Sequence, residues 1–360
     1  MGKRELGLIL AFIAAGVLIW QVTAPKADGP GFSISSFLDG ARREMRGRNA
    51  SAEVTTSPAI PIDAGIAELR LTLSGDVTIV GEDRDDVAAE LRVVSNGFDE
   101  AEAKQLASDV TLNVSRFADS VVVGWQFPEP GRQQARLTLR VPARLRLQLD
   151  GRGTVTVAGI DTLTLARTTG RLEVTTTGGL VKGEHRGGAL TIEGARAVDL
   201  YSVSTETAIR DVREDVRLNI RGGEARIIGS RGQVTVTSGD ARVRIDGTTA
   251  AVRAEAVESE LEMHDIGGEV DIDARSTPVT IAWARIATAK IQARGGRVEI
   301  VLPEDAATYS LDVRMTNGEL RVPDSLQKTT EGDESIVTKT AGPDAPAIFV
   351  RGTGSTVTIR

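Results

Sequence analysis

Apolar positions recur along this chain at a fixed interval. From Val216 onward an aliphatic residue opens a short segment about every nine residues: Val216, Ala225, Val234, Val243, Val252, Leu261, Val270, Val279, Ala289 and Val298. Within most segments apolar and polar residues alternate, as in Val-Thr-Val or Leu-Glu-Val, the period of a strand with one buried and one wet face. A constant interval over so long a stretch implies one small unit stacked on itself, not a domain with a unique core. Two units make a block of about eighteen residues: Val216-Arg-Leu-Asn-Ile220, a Gly222-Gly223 turn, then Ala225-Arg-Ile227.

The block predicts a β-solenoid with two registers. Register A opens at Leu145, Leu163, Val181, Val198, Val216, Val234, Val252, Val270, Ala289 and Leu311. Register B opens at Val155, Leu172, Leu190, Ala208, Ala225, Val243, Leu261, Val279, Val298 and Leu320. Spacings stay close to eighteen and widen only at the last step, to twenty-two. Gly-Gly pairs at the breaks permit positive φ. Ten rungs at about 4.8 Å each predict a stack of about 45–50 Å. The residues after the register A openers run Lys182, Asp199, Arg217, Thr235, Arg253, Asp271, Lys290, Asp312. Stacked about 5 Å apart, they mostly alternate in sign. Exposed pairs contribute only a few tenths of a kcal/mol each, so this ladder tests the register more than it explains stability.

The flanks are less regular. Residues 58–144 hold a strand–Gly–strand unit at Leu69–Ile79 and a helical stretch at about 99–109, capped by Asp99. The apolar strands Val121–Phe127 and Ala135–Val141 follow. A repeat array needs its open end covered, because a free edge strand templates aggregation. The helix with Trp125 and Phe127 is the expected cap. After the regular solenoid of residues 145–323, residues 324–347 read as an uneven loop, and Ile348–Ile359 as a last strand pair that closes the chain.

The order strand–Gly-Asp–strand, Gly81-Glu-Asp83, an Ala/Glu-rich helix, Val141-Pro142, Leu145-Arg-Leu-Gln-Leu149 and stacked Gly-x-Val-x-Val units resembles the bacterial putative-adhesin family of β-strand-repeat domains. The likeness covers roughly residues 60–360. It implies a right-handed, single-stranded parallel β-helix displayed outside the cytoplasmic membrane, and it brings no catalytic residues. The expected fold class is therefore all-β: a β-solenoid of about eighteen residues per rung, with an N-terminal transmembrane helix and a small helix-containing cap.

The transmembrane expectation rests on residues 1–24. Lys3 and Arg4 precede an uncharged run from Leu6 to Val22. At 1.5 Å per residue this run spans about 26 Å, close to the thickness of a hydrocarbon core. Trp20 stands at its far end, at headgroup level. Pro25 after the small-residue cleavage candidate Ala24 favours an uncleaved signal anchor over a cleaved signal peptide. The charges before the run place the N-terminus inside and the rest outside. In a bacterium that means a single-pass protein of the cytoplasmic (inner) membrane with a periplasmic or extracytoplasmic body. Residues 25–57 read as a linker in which Ile34, Phe37, Leu38, Ala41 and Met45 outline a short amphipathic helix.

Composition narrows the chemistry. The 360 residues carry a net charge of −7, only 3% aromatics and no cysteine. Mild acidity argues against a nucleic-acid partner, and the lack of cysteine removes disulfides and thiolate metal sites. The two histidines, His185 and His264, fall in different rungs at unlike positions, so neither a shared metal nor a Ser-His-Asp arrangement is expected. Glu82, Asp83, Asp85 and Asp86 lack the alternation of a calcium loop and read as a solvated turn. The double glycines lack the aspartates of calcium-binding β-rolls. They also lack the Lys-Ser/Thr pair of a phosphate loop. Asp271 and Asp273, one rung from Arg253 and Glu255, form the one mixed cluster that suits a β-helix polysaccharide lyase or hydrolase. The solenoid aromatics Tyr201, Trp283 and Tyr309 are too sparse for a subsite groove. No catalytic, cofactor or metal residues are therefore assigned. The expected function is a non-enzymatic adhesin-like, scaffold or interaction module of the cell envelope. Its partners would be the membrane, an envelope protein or glycan, and through self-association further copies of itself.

Overall fold

The computed structural model of the chain describes residues 49–62, 65–176, 178–303 and 308–360. The apolar run Leu6–Val22 and the amphipathic stretch Ile34–Met45 lie outside the described residues. Among the described residues no helix is long and apolar enough to cross a membrane. The residues from Ala50 onward form one compact unit.

The chain enters through β1 (Ala50–Thr56), β2 (Ala59–Ile60), β3 (Glu68–Glu82), β4 (Val87–Gly97), helix α1 (Glu100–Ser108), β5 (Leu112–Arg116), β6 (Ser120–Trp125) and β7 (Gln133–Pro142). Then come β8 (Arg146–Ala158), β9 (Thr162–Thr175), β10 (Leu180–Glu193), β11 (Ala197–Arg210), β12 (Val216–Ile228) and β13 (Val234–Asp246), each one bent rung. Later rungs are split in two: β14 (Val252–Val257) with β15 (Glu260–Ile266), β16 (Val270–Arg275) with β17 (Val279–Trp283), and β18 (Ala289–Arg294) with β19 (Arg297–Val301). The chain ends in β20 (Ser310–Thr316), β21 (Glu319–Arg321), β22 (Lys328–Glu331), β23 (Glu334–Lys339), β24 (Ala347–Thr353) and β25 (Thr356–Ile359).

From β8 to β19 every rung pairs in parallel with the next, and openers pile in columns: Val216 on Val234, Val234 on Val252, Ala225 on Val243. Alternation along each rung decides what is buried. In β12, Val216, Leu218, Ile220, Ala225 and Ile227 face inward while Arg217, Asn219, Arg221 and Arg226 face water. The solenoid is thus all-β and mostly parallel, as the nine-residue interval predicted.

Each rung bends where one residue takes a left-handed conformation. Ser204, Gly222, Asp240, Glu258, Ser276 and Gly295 occupy this first corner with φ between 50° and 71°. The next residue is small because the neighbouring rung is close: a Cβ on Gly223 would stand 2.4 Å from the Thr205 carbonyl oxygen. Where that residue carries a hydroxyl, the hydroxyl spans the corner. Thr205 donates to Val203 O at 2.9 Å, Ser259 to Val257 O at 2.9 Å, and Thr277 to Arg275 O at 2.8 Å. A second left-handed corner follows the second face, at Gly194, Asp211, Gly229, Gly247 and Asp265.

Three register assignments differ from the sequence reading. Leu147, not Leu145, stacks on Leu163. The β8–β9 step is sixteen residues up to Leu149 and seventeen from Asp150 on, where the pairing slips, and Leu145 closes a turn onto Pro142 O instead. Thr207, not Ala208, occupies the inward column between Leu190 and Ala225. Its hydroxyl is buried but bonded to Ser202 Oγ at 2.8 Å, so a polar residue fills a core position. Finally, Leu311 does not follow Ala289, nor Leu320 Val298. The strands β24 and β25 slot between, placing Ile348 on Ala289 and Leu311 on Ile348, with Val357 between Val298 and Leu320.

The N-terminal end repeats this device. The first full rung, β3, lies between β8 and a rung made of β6 and β7. In stack order the described rungs are β6/β7, β3, β8 to β13, β14/β15, β16/β17, β18/β19, β24/β25 and β20/β21. Thirteen layers result, about 58 Å at the parallel-strand spacing. Antiparallel strands cover both ends: β5 and β4 lie on β6 and β7, with β1 on β4, and β23 lies on β20 with β22 beyond it. Residues 324–347, read from sequence as a loop, therefore contain a capping hairpin, and the end of the expected linker is the strand β1.

Helix α1 packs on β4 and β1. Asp99 caps it, accepting from Glu102 N–H at 2.9 Å, and Ala103, Leu106 and Ala107 are buried. Trp125 is buried and Phe127 packs against the core. Arg132, 9% exposed, ties the cap together by donating to Asn96 O at 2.9 Å and pairing with Glu102 and Glu129 at 2.8 Å each. The Arg132 guanidinium holds the Glu102 carboxyl below its usual range.

Candidate functional site

The outward columns are this fold's available surface. Pairing places Lys182, Asp199, Arg217, Thr235, Arg253, Asp271 and Lys290 in one column. The expected ladder is therefore real up to Lys290. Phe349, 42% exposed, then separates Lys290 from Asp312. Asp312 accepts from Arg351 at 2.8 Å and Arg314 at 3.2 Å. The Arg351 hydrogen bond keeps its carboxyl below the ordinary range.

An open groove of about 710 Å³ runs along the first corner of β11 to β15. Glu206, Glu224, Asp240, Glu258 and Glu260 line it, with Arg242 paired to Glu260 at 2.7 Å. These carboxylates follow the edge of successive rungs and do not converge. Among the described residues no group of three or more His, Asp or Glu side chains is arranged to hold a metal ion.

The sequence candidates scatter. His185 is buried in β10, while His264 is half-buried on β15 and 4.0 Å from Glu262. Around the acidic turn, Arg84 takes Glu82 at 3.2 Å and Asp86 at 2.9 Å, and Arg144 pairs with Asp85. The lyase-like cluster does come together, with Asp271 beside Arg253 and Asp273 beside Glu255. Asp273, however, leans toward Arg275 at 3.5 Å, and Trp283 and Tyr309 are buried. The exposed aromatic in the Asp271 column is Phe349, two rungs away beyond Lys290.

A polar seam inside the core escaped the sequence reading. Thr168, His185 and Ser202 stack at one inward position of β9, β10 and β11. Thr168 Oγ1 and His185 Nδ1 are 2.8 Å apart, Ser202 is bonded to Thr207, and His185 Nε2 is buried without a partner. Burial lowers the His185 pKa from its ordinary value, against a hydrogen bond to the Gly170 backbone. The available signal was three polar residues at successive inward positions, but it could be read only once the register was known.

The family described as Toastrack DUF4097 matches residues 66–360, which agrees with the resemblance to β-strand-repeat adhesin domains. No curated protein matches. Solved structures to which the chain is similar include a putative cell adhesion protein from Clostridium sporogenes, 8% identical, covering 86% of this chain and 98% of its own, with a TM-score of 0.19. A putative lipid binding protein from Parabacteroides distasonis is 12% identical over 87% of this chain and 98% of its own, with a TM-score of 0.29. A putative adhesin from Bacteroides fragilis is 11% identical over 86% and 97%, with a TM-score of 0.23.

Proposed function

We propose, for a chain that belongs to the Toastrack DUF4097 family, a non-enzymatic role: a membrane-anchored β-solenoid that presents a rigid contact surface in the bacterial envelope. The stack is read as a right-handed, single-stranded parallel β-helix. The observation that carries the proposal is the register itself. Consecutive rungs hold outward side chains in straight columns about 4.8 Å apart, so the faces are preorganised and binding orders little further chain. An adhesin-like module, a scaffold or a partner-dependent sensor needs that property, and the partner is an envelope protein or glycan. The anchor is assigned to Leu6–Val22, with Lys3 and Arg4 on the cytoplasmic side. Self-association would use the unpaired outer edges of β1, β5, β21 or β22, since β4 and β23 cover β7 and β20.

Fractionation of cells carrying a C-terminally tagged chain tests the reading. The protein is expected in the inner-membrane fraction, with the tag digested by protease in spheroplasts and protected in intact cells. A tag protected in both, or a chain in the cytosolic supernatant, removes the envelope assignment. Release of reducing ends from polysaccharides by the purified chain, abolished by Asp273→Asn, would instead establish a carbohydrate-active enzyme.

A further inference from the structure

Of the two aromatic residues between β8 and β19, Trp283 is buried and Tyr201 points outward, half-buried, from the middle of β11. The register surrounds Tyr201 with an ordered set of side chains. Directly above and below it in its column stand Glu184 and Asn219. Its four diagonal neighbours are all cations. Lys182 and Arg186 lie on β10, and Arg217 and Arg221 on β12. With about 4.8 Å between rungs and about 6.7 Å for two residues along a strand, each cation's Cβ lies about 8 Å from that of Tyr201, within reach of a long side chain. Arg186 bonds to Glu184, and Arg217 comes within 4.0 Å of Asp215. Lys182 and Arg221 are exposed and, among the described residues, make no ion pair. Four cations against Glu184, Asp199 and Asp215 leave the patch net positive on a chain whose formal charge is −7.

We propose that this Tyr201-centred face binds a uronate-bearing polysaccharide lying along the stack. The inference rests on the reading of the outward faces as contact surfaces and names the class of ligand. A tyrosine face accepts the C–H side of a pyranose ring while its hydroxyl stays wet. Asn219 and Glu184 are placed to bond ring hydroxyls above and below. The carboxylate of the stacked sugar, or of the next one along, then meets a guanidinium fork from Arg186, Arg217 or Arg221. The interleaved Glu184 and Asp199 matter for selectivity. They dilute the positive field, so a chain with one charge per sugar fits better than a densely sulfated or phosphorylated polymer. The track continues along the axis through Thr164 on β9, beside Lys182, and through Thr235 and Thr237 on β13, which suits a polymer better than a single sugar.

Affinity electrophoresis of the full-length chain through gels containing polygalacturonate, dextran or dextran sulfate tests the proposal. Polygalacturonate is expected to retard the protein and dextran is not. Tyr201→Ala and Arg221→Gln should each weaken the polygalacturonate Kd about tenfold, with Tyr201→Phe within about twofold of the parent. Both sites are on the surface, and unchanged thermal unfolding by circular dichroism identifies folded variants. No retardation by polygalacturonate overturns the proposal. So does binding that survives Tyr201→Ala, and so does equal, Tyr201-independent retention by dextran sulfate, which would reveal charge attraction alone. None of these outcomes alters where the protein resides in the cell, so failure here and failure of the envelope assignment are distinguishable.

Discussion

His185 shows what one side chain can impose on a repeat. Its position in the inward column is filled by Ile220 two rungs later and by Ala256 beyond. Facing it from the neighbouring rungs are Thr168, Ser202, Thr205 and Thr207, together with aliphatic residues, and no carboxylate or cation points inward there. The imidazole is therefore held neutral, while in the unfolded chain it titrates near pH 6.5. The sign follows from linkage. As pH falls below the unfolded value, the unfolded state takes up a proton that the folded state resists, so stability drops from about pH 6.5 downward until the folded group also titrates. The loss cannot exceed about 1.4 kcal/mol per pH unit within that window. Glu102 and Asp312, held by arginines, stabilise the fold while ionised, and that stability is lost only at lower pH, where carboxylates protonate. His185→Gln should therefore flatten the dependence of the urea midpoint between pH 7 and pH 5.5. An equally steep dependence in the variant would place the acid sensitivity elsewhere. The histidine was visible in the sequence, but its direction was not. The same holds for Thr207 and Ala208, which differ only in a one-residue choice of register after the left-handed Ser204. Alternation alone prefers the alanine inside, and the buried Ser202–Thr207 hydrogen bond reverses that preference.

At the scale of elements, the two ends share a solution to the edge problem. In each case the rung at the end of the sequence is second in the stack, and the neighbour that lies outside it carries an antiparallel cover. β3 sits inside β6/β7, and β24/β25 sits inside β20/β21. Such a rung is held on both edges, so fraying of the stack does not begin at β3 or β24/β25. The outer β21 edge is guarded by Lys328, which donates to Leu320 O at 3.3 Å, a charged side chain where a free carbonyl would invite another strand. Truncation after Gly342 removes Ile348, Val350, Val357 and Ile359, all buried, and bares two strand edges at once. Hydrogen exchange should then show Ser310–Lys339 unprotected while β8–β13 keep their protection, and the truncated chain should aggregate. Unchanged protection of β20 would mean that β24/β25 is an appendage and not an inserted rung. The widened step of twenty-two residues before Leu311 was the trace of this insertion in the sequence. Periodicity counts residues between like strands and carries no information about a strand arriving from fifty-nine residues downstream, as Ile348 does on Ala289, so the order of the last rungs stayed hidden. The capping helix was legible because its signals are local: Asp99 at the cap and apolar residues at helical spacing.

At the scale of the whole molecule, the question is what the unit of stacking is. The sequence repeats every nine residues, yet the structure treats the two strands of a rung differently. The first strand buries three alternating residues before its corner, as in Val216, Leu218 and Ile220, and the second buries two, as in Ala225 and Ile227. The left-handed residues also recur at fixed places along the whole rung. If eighteen is the true unit, removing residues 234–251 should bring Val252 onto Val216 and Leu261 onto Ala225 with every corner still aligned. Stability in such an array is close to a sum over rungs and nearest-neighbour interfaces, so this deletion should leave a cooperatively unfolding chain with a lower urea midpoint. Removing residues 234–242 keeps the nine-residue period but sets a two-residue face on a three-residue face and misaligns the corners, and it should abolish the cooperative transition. The surface charges play little part in either outcome, because exposed ladder pairs are worth only a few tenths of a kcal/mol. Should the nine-residue deletion fold as well as the eighteen, the rigid faces assigned to this protein would be interchangeable strips, and a site defined by neighbours on three successive rungs, as around Tyr201, would lose its geometric basis.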